Sequence, residues 1–179
     1  MSVRSENLWY SIVAVAIVIL LAGFLSTNDS VSASEQAEDA DFAAAAIRGG
    51  MTEVNLGRLA AQKGTTEAVR TFGEKMVDDH SKANEKLKEI AAREKMELPT
   101  DIGAQEQANI ARLSQLSGRK FDREYAHLMV KDHEKDVEDF QNEAKNGKNA
   151  YIKQFAGETL PTIQEHLRQA QGLTSASAR

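Results

Sequence analysis

The chain of 179 residues contains no cysteine. That excludes disulfides, thiolate metal sites, cysteine nucleophiles and lipid attachment through an N-terminal cysteine. Only two prolines interrupt it, and the aromatics are few: one Trp, three Tyr and six Phe. With so few breakers, and with Ala, Glu, Lys, Leu and Gln abundant, the composition favours long helices. A basic surplus is also lacking. Lys and Arg number 22 against 27 Asp and Glu, for a formal net charge of -5, which argues against nucleic acid as a partner. No nucleophile constellation is present, and Gly49-Gly50 lacks the flanking pattern of a phosphate loop.

Histidine is scarce too, with four in all, but three of them share a setting. His133 lies in Met129-Val130-Lys131-Asp132-His133-Glu134-Lys135, and His80 in the echo Met76-Val77-Asp78-Asp79-His80-Ser81-Lys82. A third acid–histidine pair, Glu165-His166, follows near the end. The echo is open to two readings, a duplication or two helices fitted to similar surroundings.

The apolar run Ile12 to Leu25 follows Arg4 and precedes a polar stretch, with Val31-Ser32-Ala33 as a peptidase-type site. Residues 1–33 therefore read as a cleaved signal peptide, or else as an uncleaved anchor. In either case the remainder is expected outside the cytoplasm, in the periplasm, secreted or membrane-anchored, touching a membrane only through that segment. Residues 34–41 read as a linker or the approach to a helix, 42–173 as the folded domain and 174–179 as a disordered tail. At this length the domain can bury a substantial core.

Spacings of three and four outline four long helices. The first, about 41–63, carries Phe42, Ala46, Gly49, Glu53, Leu56 and Ala60; Gly49-Gly50 marks a kink or a close helix contact. The second, about 66–96, carries Val69, Phe72, Met76, His80, Ala83, Leu87 and Ile90. A short helix at about 102–116 acts as a crossover. The third long helix, about 119–145, carries Ala126, Val130, His133, Val137, Phe140 and Ala144. The last starts near Asn149 and carries Ile152, Phe155, Thr159, Ile163, His166, Ala170 and Leu173, with Pro161 expected to kink or restart it.

Each long helix thus sets one ligand-type residue on its apolar stripe: Glu53, His80, His133 and His166. Measured from the intervening turns, the paired positions differ in depth by roughly one turn at ~1.5 Å per residue. Side chains lean toward the N-terminus of their own helix, which narrows that offset. Imidazole nitrogen and carboxylate oxygen together suit one divalent transition metal, with Zn, Fe, Mn and Cu not distinguished. Asp79, Asp132 and Glu165 are candidates for orienting the neighbouring imidazoles. The competing reading makes the histidines hydrogen-bonded core pairs of a non-catalytic structural or interaction module. A di-iron carboxylate centre is disfavoured, since Glu-x-x-His is missing at all three inward histidines; positions 77, 130 and 163 are Val, Val and Ile. Met76 and Met129, one turn before His80 and His133, would admit copper but suit gap filling equally. An enzymatic role is not indicated, and homo-oligomerisation is left open.

Several stretches resemble a known bacterial family. They are Gly49-Gly50-x-x-Glu53-Val54-x-Leu56-Gly57, Val69-x-x-Phe72, Met76-Val77-x-Asp79-His80, Leu98-Pro99, Phe121-Asp122-x-x-Tyr125, Asp132-His133 and Leu160-Pro161-x-x-x-x-His166-Leu167. From Phe42 to Leu173 the chain resembles domain-of-unknown-function family 4142, often labelled putative outer-membrane or secreted protein. The resemblance implies a ferritin-like four-helix bundle exported from the cytoplasm. It implies no established activity.

Overall fold

The computed structural model describes the backbone of residues 9–177 and the side chains of residues 36–176. The chain divides into two compact units, Met1–Ala37 and Glu38–Arg179. The side chains of the expected signal or anchor segment, 1–33, lie outside the described residues. Among those described, no helix is long and apolar enough to cross a membrane. The described residues are all-α, with five helices in the order α1 (Trp9–Lys63), α2 (Glu67–Glu94), α3 (Ala104–Ser114), α4 (Gly118–Asn146) and α5 (Ala150–Ser177).

The helix ends follow local chemistry. Thr66 caps α2, its side chain accepting from the Val69 amide, which satisfies one of the orphan donors of the first turn. Lys95 ends α2 in the left-handed region at φ 57°, where the chain turns into the crossover. Asn149 Oδ1 accepts from the Tyr151 and Ile152 amides at the start of α5. Pro161 lies inside α5 without dividing it; its side chain is exposed. The stretch expected as a linker at 34–41 is helical, because Asp39 is anchored: it is 1% exposed, and its carboxylate accepts from the Lys148 and Asn149 amides. At the other end, α5 continues past Leu173 to Ser177, with the Thr174 and Ser175 hydroxyls donating to the Gln171 carbonyl.

The Asp39 contact has a counterpart. Asp122 of α4, also buried, accepts from the Thr65 and Thr66 amides and from the Thr65 hydroxyl. Each hairpin therefore supplies the carboxylate that caps the turn of the other. The two sets correspond at a constant spacing of 83 residues: Asp39 with Asp122, Thr65 with Lys148, Thr66 with Asn149. At that spacing His80 corresponds to Ile163, not to His133. The Met-Val-x-Asp-His echo is therefore not the product of this hairpin symmetry, and two helices fitted to one polar layer account for it.

Two apolar clusters fill the bundle. One holds Leu56, Ala60, Val69, Phe72, Met76, Phe121, Tyr125, Met129, Ala170 and Leu173, with Leu113 of the crossover helix closing over it. The other holds Ala43, Ile47, Leu87, Phe140, Ile152, Phe155 and Ala156. The order in which each helix visits them gives its direction. Going along the chain, α1 and α5 pass from the second cluster to the first, and α2 and α4 from the first to the second. Because α2 and α4 run the same way, the segment carrying α3 must return the full length of the bundle. Close approach of α1 and α2 is permitted by glycine. A Cβ on Gly73 would meet the Gly57 carbonyl at 2.6 Å, and one on Gly50 would meet Asn84 Oδ1 at 2.1 Å. Gly50, not Gly49, is thus the contact residue of the pair.

Candidate metal centre

On each of the four long helices a buried polar residue stands between stretches of apolar core. Glu53 lies between Ile47 and Leu56 on α1, His80 between Met76 and Leu87 on α2, His133 between Met129 and Phe140 on α4, and His166 between Ile163 and Ala170 on α5. All four are buried, His133 and His166 completely. The apolar stripe of each helix carries its polar residue into the same layer, so the sequence pattern and the fold agree here.

The three imidazoles meet. Ring centroids are 5.7 Å apart for His80 and His133, 5.3 Å for His80 and His166, and 5.4 Å for His133 and His166. One ring nitrogen from each lies within 4.8 Å of one from both others. An ion with Zn–N bonds of about 2.0–2.1 Å spaces tetrahedral ligands about 3.4 Å apart. Closing the trio onto an ion therefore takes ring movements on the order of an ångström, within the reach of side-chain adjustment.

Hydrogen bonds select which nitrogen each ring offers. His133 Nδ1 is 2.9 Å from the Met129 carbonyl oxygen. A carbonyl only accepts, so Nδ1 carries the proton and Nε2 the free lone pair. His166 Nε2 is 2.8 Å from Asp79 Oδ2, so this ring donates from Nε2 and its lone pair sits on Nδ1. His133 Nε2, His166 Nδ1 and His80 Nε2 are buried without a hydrogen-bond partner. Each ring thus presents one such nitrogen.

The electrostatics keep the rings neutral. Burial and the neighbouring imidazoles His133 and His166 hold His80 well below the ordinary histidine range. Burial and His166 bring His133 down to about 4. Burial also lowers His166, opposed by its bond to Asp79. Neutral imidazole is the form that ligates a metal.

Glu53 is placed differently from the histidines. Its Oε1 lies 3.9 Å from His133 Nδ1, the protonated edge of that ring, and it is not part of the close trio. Burial pushes its carboxyl well above the ordinary range, and Asp136, Asp132 and Glu106 add like charge. Its Oε2 has no partner, nor does the buried Tyr125 hydroxyl.

Of the three acids expected to orient the rings, Asp79 is bonded to an imidazole, that of His166, and is itself held by Lys75 at 2.6 Å. Glu165 instead pairs with Arg168 and Gln169, on the outer side of α5. Asp132 is half-buried and faces a cavity with Glu53, Glu106 and Asp136; burial and Glu106 raise it to about 6. Met76 and Met129 belong to the apolar cluster beside the site. The helical spacing did not single out the two capping aspartates, Asp39 and Asp122, whose partners lie far away in sequence. It also passed over Tyr125 and Asp136.

The fold and this polar mid-layer define an all-α helical bundle with three converging buried histidines. The chain belongs to the family described as Domain of unknown function (DUF4142), whose profile matches residues 26–173. It is similar in structure to a DUF305 fragment from Deinococcus radiodurans, with a TM-score of 0.68 at 14% identity over 78% of this chain and 96% of that one. At that identity the likeness speaks to the fold alone. No curated protein matches the chain.

Proposed function

We propose that this protein is an exported, ferritin-like four-helix bundle that binds one divalent transition metal in its core, for metal binding or stress protection at the cell envelope. The observation that carries this reading is the convergence of His80, His133 and His166 with one unpartnered ring nitrogen each. A buried acceptor left unpaired costs about 1–3 kcal/mol, and three in one place outweigh any packing benefit of imidazole over leucine. A shared ion satisfies all three at once. With no thiolate, the donor set favours Zn, Cu, Fe or Ni over soft-metal chemistry. Glu53, beside His133, is the nearby carboxylate that complements the charge of the ion. Export is supported by the apolar run Ile12 to Leu25 behind Arg4.

The second reading, a structural or interaction module of the envelope, is favoured by the Asp79–His166 bond, a satisfied polar pair of the ordinary kind. The two readings separate in a titration. Tag-free, chelator-treated protein is titrated with Zn²⁺ against a chromophoric chelator. One equivalent bound per chain, lost in His80→Ala and in His133→Ala, is the expected result. Failure to compete with the chelator, or unchanged binding in both variants, would leave the structural reading standing.

A further inference from the structure

A cavity of about 380 Å³ lies between α1, the approach to α3, and α4. Its charged lining is mostly acidic: Glu53, Glu106, Asp132, Asp136 and Asp139 against Arg48 and Lys135. Lys135 is already engaged by Asp139, so its charge is largely spent locally. Asp132 and Asp136 are one turn apart on α4 and therefore share a face. Glu106 reaches the same space from α3 and Glu53 from α1.

Glu53 is what distinguishes this cavity from an ordinary acidic surface. It is 2% exposed, lines the cavity, and its Oε2 has no hydrogen-bond partner. Its Oε1 approaches the His133 ring at 3.9 Å. One side chain thus borders both the cavity and the histidine layer. Three other cavities among the described residues have charged linings but include none of the four residues of that layer: one is lined by Asp39, Asp41 and Glu143 at the far end of the bundle, one by Arg58, Glu74 and Asp78 on the outer faces of α1 and α2, and one by Arg58, Glu85, Lys88 and Asp101.

We propose that the cavity under the crossover segment is the vestibule through which a hydrated divalent cation reaches the three histidines, with Glu53 as the carboxylate at its inner end. This rests on the metal-binding reading above. The size suits a cation that still carries its first shell, since each water takes roughly 30 Å³ in the liquid. Converging carboxylates against low-dielectric walls such as Phe42 and Phe140 raise the local cation concentration and so the association rate. They do so without dictating the final ligand set, which is nitrogen-rich. The crossover segment acquires a purpose in this account: Ile102 to Glu106 roofs the cavity and supplies one of its carboxylates.

The test is kinetic, so that it fails separately from the binding reading. Zn²⁺ association is followed by stopped flow in the full chain, using release from a fluorescent chelator, at low and at physiological ionic strength. In the wild type the association rate should fall steeply with salt. In Asp136→Asn with Glu106→Gln it should drop roughly tenfold at low salt, with one equivalent still bound at equilibrium. Glu89→Gln, an exposed acid on α2 outside the cavity, is the control: it should lower the rate far less than the double variant at low salt, and leave it unchanged at physiological ionic strength, where charges beyond about 8 Å are screened. Unchanged association in the double variant, or a salt-independent rate in the wild type, overturns the vestibule while leaving the histidine site intact. Absence of any bound Zn²⁺ in the wild type overturns the histidine site and the vestibule with it. Should the double variant not fold, the wild-type salt dependence and the single Asp136→Asn variant decide alone.

Discussion

Asp79 Oδ2 accepts from His166 Nε2 at 2.8 Å, joining α2 to α5 and fixing which nitrogen of that ring faces the bundle core. The acid sits next in sequence to His80, yet it serves the histidine of another helix. A carboxylate that orients a ligating imidazole raises its basicity and holds its tautomer. Asp79→Ala is therefore expected to weaken metal binding by about 10–100-fold while keeping one equivalent at saturation. Competition titration checks it; affinity equal to wild type would make the pair purely structural. Asp79→Ala also leaves the buried His166 Nε2–H without its acceptor, at about 1–3 kcal/mol, while the partly exposed Lys75 contact adds at most about 1 kcal/mol, so thermal unfolding of the apo-protein should show a loss of that order.

His133→Leu separates function from stability. The Met129 carbonyl that His133 contacts is also an acceptor within α4, so leucine strands no backbone group there. It removes an unpartnered buried nitrogen and joins the two apolar clusters. The apo-variant should be as stable as wild type or more so, by up to about 2 kcal/mol. Stabilisation by added Zn²⁺ should vanish. Urea unfolding with and without Zn²⁺ reads both; a variant markedly less stable than wild type without metal would give His133 a structural role instead.

Much of this layer was legible in the sequence, because a heptad-like stripe on each helix makes an intruding polar residue visible. His80, His133 and His166 stand at such positions, and they do meet. The exact bearing of Glu53 was not legible: its stripe position puts it in the layer, but a rotation of α1 by a fraction of a turn decides which edge of His133 it meets. Nor could spacing show that Glu165 turns toward Arg168 and Gln169, since the residue before an inward histidine sits at the edge of the stripe. The Asp39 and Asp122 caps stayed hidden for another reason. A carboxylate that caps a turn more than fifty residues away leaves no local pattern, and such contacts depend on how the hairpins dock.

Those caps carry the docking. Asp122→Ala strands the Thr65 and Thr66 amides and the Thr65 hydroxyl, and charge-assisted bonds of this kind are worth about 1.5–3 kcal/mol. A loss of about 2–3 kcal/mol is expected, with a similar loss for Asp39→Ala at the opposite end. Being far apart, the two should add. Chemical denaturation of both single variants and the double variant measures this, and losses below about 0.5 kcal/mol would place the docking energy elsewhere.

The pH dependence of stability should carry the mark of Asp136. Burial, then the charge of Asp132, raises this carboxyl to about 7 in the folded protein, from 3.8. Between those values the folded state holds a proton that the unfolded state has released. The stability associated with this group is therefore complete below about pH 4 and lost as pH rises through 7. Asp136→Asn cannot ionise. Its stability relative to wild type should grow from pH 4 to 7 and level off above, as read by thermal unfolding across that range. A difference that is constant with pH would contradict the raised value.

The most direct measurement of the central claim is X-ray absorption at the zinc edge, on tag-free protein loaded with one equivalent of Zn²⁺. The account predicts imidazole multiple scattering from three rings, with nitrogens at about 2.0–2.1 Å, and loss of that pattern in His80→Ala, which no longer holds the ion. A shell of oxygen scatterers without the imidazole pattern, or a protein that takes up no zinc, would contradict it.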